Sequence, residues 1–222
     1  TNSYWAFDGT NVLTSAGGGT RINTQAQART QSTYSGFTFG NTVGSANWYM
    51  VDGFTRPILQ MEYSTAIRST HQLQLMDLNK AASYTLSRNI DMSTTVNNNS
   101  DVWLSSTNSG FGFSPVGTAA AAFTGSFNGQ NYELNNLYIN RPTEITNGIG
   151  LFGNTGAASS ISNLVMQNAR VTGSRDVGTL GGILDGSVNN VRVINTTVTG
   201  TGDYHFGGIA GYLTGSLSNS FV

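Results

Sequence analysis

Residues Gly148 to Val222 read GIGLFGNTGAASSISNLVMQNARVTGSRD, then VGTLGGILDGSVNNVRVINTTVTGTGDY, then HFGGIAGYLTGSLSNSFV. Gly153, Gly182 and Gly211 recur at an even interval, and Asn163, Asn190 and Asn219 at a nearly even one. Val171-Thr172-Gly173 returns as Val198-Thr199-Gly200. Working outward, Leu134-Asn135-Asn136-Leu137 anticipates Ile161-Ser162-Asn163-Leu164, so the pattern reaches back to about Tyr132. A period of about 27–29 residues marks a chain that stacks on itself in similar layers.

Each period holds about three short apolar runs separated by turns. In one they are Val191 to Ile194, Thr197 to Thr199 and Gly208 to Leu213. Three strands per layer, each pairing in parallel with its equivalent in the next, predict an all-β right-handed parallel β-helix, a solenoid, over residues 63–222. Residues 1–62 predict a small mixed α/β region that connects or caps it. There, Thr24 caps a short helix from Gln25 to Arg29, and Phe37 to Phe39 and Trp48 to Val51 are strands. The turn Asp52-Gly53 leads to a strand from Ile58 to Tyr63, and Gly17-Gly18-Gly19 reads as a turn. Ser69 or Thr70 caps a second helix carrying Leu73, Met76 and Lys80. Tyr84 to Leu86 and Ile90 to Met92 open the β region, and Asn97 to Ser100 is a polar loop. Ala119 to Ala122 fits a loop or one helical turn.

Composition excludes several functions. Of 222 residues only 9% are charged, the net charge is −1, and Lys80 is the single lysine. No basic stripe is present to neutralise phosphates, so nucleic acid is not an expected partner. The absence of cysteine rules out disulfides and thiolate metal sites. No apolar run is long enough to span a bilayer, so no membrane span is expected.

Several stretches resemble a known family. Gly150-Leu151-Phe152-Gly153 and Ser218-Asn219-Ser220-Phe221 resemble GLUG-type repeats. Tyr84-Thr85-Leu86, Asn89-Ile90-Asp91, Trp103, Gly110 to Gly117 and Phe123 to Gly129 resemble the segment leading into such repeats. Thr1 to Trp5 and Trp48 to Leu59 resemble the segment that follows them. Together these look like filamentous-haemagglutinin-type adhesins exported by two-partner secretion. The resemblance implies a structural and adhesive segment of a large bacterial surface exoprotein, not an enzyme. It implies no cofactor, and as partners a host glycan or surface receptor and the neighbouring repeat units of the same chain. Asn2-Ser3-Tyr4 echoes Asn219-Ser220-Phe221, so the chain is expected to be one unit of a tandem array. A carbohydrate-active β-helix enzyme and a non-catalytic glycan-binding module are the alternatives.

Candidate site residues follow from the repeats. Asn136, Asn163, Asn190 and Asn219 are expected to form a structural amide ladder, with a polar binding row as the alternative. Gly153, Gly182 and Gly211 are expected at turns or close backbone approaches. Asp176 and Asp203 share a register in matching Val-Thr-Gly-x-x-Asp segments, which suits either solvated turns or a pair of calcium ligands. His71 and His205 have no partner at metal-ligand spacing. No carboxylate pair or nucleophile constellation stands out, so no catalytic residue is assigned. Tyr138 and Tyr212 are candidates for stacking on a sugar if they face outward. Asn98 and Asn195 fit the glycan-acceptor pattern.

Overall fold

The computed structural model describes residues 3–6, 18–104 and 110–222. Gly17 and the Thr1-Asn2 part of the terminal echo lie outside the described residues. The rest is mostly β-strand with a few short helices, and the strands pair almost entirely in parallel. The largest sheet runs Ser216–Ser218, Ser187–Ile194, Ser160–Gln167, Ser126–Asn128, Ser83–Leu86, Ala66–Ile67. A second holds Tyr138–Arg141, Arg170–Gly173 and Thr197–Gly200; a third holds Phe152–Asn154, Gly181–Leu184 and Ala210–Leu213.

Register explains the sequence period. Ile161 pairs with Val188, Val171 with Val198, and Gly181 with Ala210. The chain visits the three sheets in the same order and returns to each once per repeat. Earlier the spacing stretches: Tyr84 pairs with Phe127 and Phe127 with Ile161. The added length carries the helix Thr94–Asn97 and the loops around Trp103 and Phe113. Stacking therefore begins well before the repeat becomes readable.

Alternation drives burial. In Ser187–Ile194 the side chains of Val188, Val191 and Val193 are buried, and in Ser160–Gln167 those of Ile161, Leu164 and Met166, with Val165 also covered between the last two. The period-2 pattern slips by one at Asn163 and Asn190. Both have φ of 53°, a left-handed conformation that bends the strand and returns the next residue to the core. One end of the core is aromatic, with Trp103, Tyr84, Phe113, Phe123, Phe127 and Phe152 all within 1% of complete burial. Phe152 lies 4.8 Å from Phe123 and 5.7 Å from Phe127, centroid to centroid. Full burial of each such ring contributes about 1.5–3 kcal/mol.

Residues 1–62 contain both helical and β elements. Thr24 Oγ1 accepts from Gln27 N–H and caps the helix Gln25–Ala28. Phe37 stacks on Trp48 at 4.6 Å beside a cluster of Ile22, Ala28, Tyr34, Met50 and Leu104. Trp48–Tyr49 pairs antiparallel with Ile58–Leu59, and Tyr49 and Ile58 belong to the main core. The expected strand from Ile58 to Tyr63 is shorter than its apolar pattern implies. After Leu59 it becomes a 3-10 turn, Gln60–Glu62, because the buried Gln60 amide bonds Gly40 O, Trp48 O and Gly44 N–H. Ser69 caps the helix Thr70–Leu75, which tightens into a 3-10 turn at Met76–Leu78. Ala119 to Ala122 is loop. Among the described residues no helix is long and apolar enough to cross a membrane.

Candidate functional site

The recurrent asparagines fall into two columns. Asn190 Nδ2 donates to Asn163 Oδ1 at 2.9 Å, and Asn163 Nδ2 to Asn128 Oδ1 at 3.1 Å. Asn219 Nδ2 donates to Asn189 Oδ1 at 2.8 Å. Asn131 donates its backbone N–H to Asn163 O, which places it, not Asn136, in this column. Asn136 stands in a second column with Asn168 and Asn195, one position beyond the paired Asn135, Gln167 and Ile194. All seven column members have φ between 50° and 62°. Asparagine tolerates that conformation better than other residues with a side chain, and its amide can bond the next layer. Sequence reasoning missed Asn131 and Asn168 and read Asn195 only as a glycan acceptor; the Gln-Asn and Ile-Asn steps after the long strands are the signal for Asn168 and Asn195.

The glycines Gly153, Gly182 and Gly211 are not at turns. They lie within the strands Phe152–Asn154, Gly181–Leu184 and Ala210–Leu213, flanked by paired residues. Glycine is required there by close approach. A Cβ at Gly182 would run into the backbone of Gly148 and Ile149, and one at Gly211 into the backbone of Asp176 and Val177.

Asp176 and Asp203 do not share a register. Val177 pairs with Phe206, which stacks Asp176 against His205, while Asp203 is exposed. A longer turn ahead of His205 causes the slip. Asp176 is 3% exposed, with His205 Nδ1 at 2.7 Å on one oxygen and Arg175 Nε at 3.1 Å on the other. His205 packs on Tyr212 at 5.0 Å, and both border an open groove with Asp185 and Thr214. Tyr212 faces outward, 44% exposed, whereas Tyr138 is buried. Among the described residues no group of three metal-ligating side chains is assembled. Asn195 is exposed and Asn98 half-buried.

His71 lies at the start of its helix between two carboxylates. Nδ1 is 2.8 Å from Glu62 Oε2 and Nε2 is 2.7 Å from Asp101 Oδ1. Both ring nitrogens donate when the imidazole is charged. The bond to Asp101 raises its pKa to about 9, against burial, with Glu62 adding to the rise. Burial pushes Asp101 up, but its bonds to His71 and the Val102 N–H hold it below the usual carboxylate range. His71 is raised above its unfolded value of 6.5. Its stabilisation is therefore complete below that pH and is lost as pH rises through about 9. Discounted for partial solvent exposure, we expect a loss of about 1–2 kcal/mol on alkalinisation. Melting near pH 6 and near pH 10 would check it. His71→Gln should melt lower near pH 6 and lose most of the difference between the two; an unchanged difference rules the pair out as its source.

A cleft that sequence reading missed surrounds Arg141, which ends the strand Tyr138–Arg141. Ser114, Thr118 and Asn147 line one hollow beside it, Phe111 and Thr143 a second, and Phe54 and Glu144 line both.

The chain matches no protein-family model and no solved structure. Over 151 residues it is 39% identical to halomucin of Haloquadratum walsbyi (strain DSM 16790 / HBSQ001), a match covering 65% of this chain. The matched stretch is 2% of the length of that relative, so the chain is similar to a small part of a far larger protein.

Proposed function

We propose that residues 63–222 form a right-handed parallel β-helix, capped by residues 1–62, and that the chain is a non-catalytic structural and adhesive segment of a large secreted surface protein. One observation carries this reading: at each repeat the chain returns to the same three parallel sheets. Parallel crossovers between neighbouring strands of one sheet are right-handed almost without exception. Similarity to a small part of a protein whose name places it among mucins supports an extracellular setting. The resemblance to filamentous-haemagglutinin-type exoproteins with GLUG-type repeats supports the same role, with a surface glycan or receptor as the partner.

Length and contact are tested separately. Small-angle X-ray scattering would compare this chain with a longer parent fragment carrying further repeats. The longest dimension should grow by about 4.8 Å for each added layer at constant cross-section. Growth in all dimensions would sink the rod. Immobilised chain on a glycan array and on cells tests adhesion; silence on both would leave a rod without an adhesive role.

A further inference from the structure

Arg141 is 6% exposed, and its guanidinium lies 3.6 Å from the centroid of Phe54 and 5.6 Å from that of Phe111. Nε and Nη2 are buried and make no hydrogen bond among the described residues. Buried guanidinium donors are ordinarily paired. Arg141 lines both hollows of the cleft. Burial lowers its pKa to about 9, opposed by Glu144 and reinforced by Arg29, so it is still charged at neutral pH. Arg29 lies 5.2 Å from the Phe111 centroid and adds a second positive charge.

The space beside Arg141 is two half-open hollows of about 130 and 140 Å³ that share Phe54, Arg141 and Glu144. Glu144 is not within ion-pair distance of Arg141. Its Oε1 accepts from the N–H groups of Thr146 and Asn147, and its other oxygen has no bond among the described residues. The cleft thus offers a cation with no ion-pair partner among the described residues, an acceptor oxygen away from it, and the partly exposed ring of Phe111. A ligand that satisfies all three carries an anionic oxygen, hydroxyl donors and an apolar face. That combination describes a sugar acid. A simple anion would leave Glu144 and Phe111 unused, and a neutral sugar would leave the Arg141 charge unanswered.

We propose that this cleft binds a carboxylate-bearing sugar, a hexuronate unit, with its carboxylate on Arg141, hydroxyls on Glu144 and its ring against Phe111. The site deepens the adhesive reading, on which it rests, by naming a ligand class. Its failure is separable, because it is read with a monosaccharide in solution and no adhesion.

The test is an NMR or calorimetric titration of the full chain with glucuronate, glucose and acetate. Glucuronate should bind saturably, with glucose and acetate each at least about tenfold weaker, as expected for losing a charge-assisted bond or the ring contacts. Arg141→Met should abolish glucuronate binding, with the fold checked by circular dichroism. If that variant does not fold, Phe111→Ala serves instead: it should weaken glucuronate several-fold and leave acetate unchanged. Equal binding of acetate and glucuronate would overturn the sugar assignment. Absence of glucuronate binding to the native chain, or unchanged binding in a folded Arg141→Met, would overturn the site.

Discussion

Gly182→Ala is expected to destabilise the protein by about 3 kcal/mol, the upper end of what one overpacked methyl ordinarily costs. For a chain of this length that lowers the melting temperature by about 6–12 °C. The added Cβ has nowhere to go, because its neighbours are the backbones of Gly148 and Ile149 rather than a movable side chain. The same contact recurs one layer on, where Gly211 meets the backbone of Asp176 and Val177. Relief would require the strand Gly181–Leu184 to move away from the Gly148-Ile149 backbone. Gly156→Ala is the control: its methyl meets chiefly Thr124 Cγ2 at 3.1 Å. It should cost less than about 1 kcal/mol. Equal melting of the two variants would mean that the close approach is not what selects glycine at 182.

Gln74→Leu is expected to cost about 3–6 kcal/mol through unmade hydrogen bonds, with little change in volume. Gln74 is fully buried. Its Oε1 accepts from Trp103 Nε1 at 3.1 Å and from Ser114 N–H at 3.0 Å, and its Nε2 donates to Ser114 O at 3.0 Å. Leucine removes all three bonds while water is still excluded. Urea unfolding should show a lower midpoint with an unchanged slope. A loss below about 1 kcal/mol would mean that the loop holding Ser114 relaxes and finds water.

The repeat is legible because its layers from Ser160 onward have nearly constant length. The sites are less legible, because counting along the chain is not the same as register. Asn136 precedes Asn163 by the same interval that separates Asn163 from Asn190. Yet Gln130 and Asn131, both at positive φ, lengthen their layer. The pairing moves from Asn128 with Ser162 to Glu133 with Val165, and Asn131 takes the place counted for Asn136. The same kind of insertion puts His205, not Asp203, over Asp176. Gln74, His71 and Arg141 show a different limit. Gln74 finds its partners on the loops of Trp103 and Ser114, His71 on Glu62 and Asp101, and Arg141 on ring faces brought up by the fold. No local pattern announces contacts of that kind. The recurrence of Gly182 is plain in the sequence, but its cause is not, since glycine marks tight backbone contact and tight turns alike.

The two asparagine columns also bear on salt. The first joins its layers with neutral amides, the second does so at Asn168 and Asn135 while Asn136 bonds the Asp91 carboxylate, and the apolar core and backbone ladders are neutral. Charged residues are only 9% of the chain, and ion pairs among the described residues include those of His71, Lys80, Arg175 and His205 with their carboxylates. Screening removes attraction between exposed charges, so it has little here to remove. Strongly hydrated salts favour apolar burial and would tighten the core. An architecture bonded this way is expected to melt at nearly the same temperature in dilute buffer and in concentrated salt.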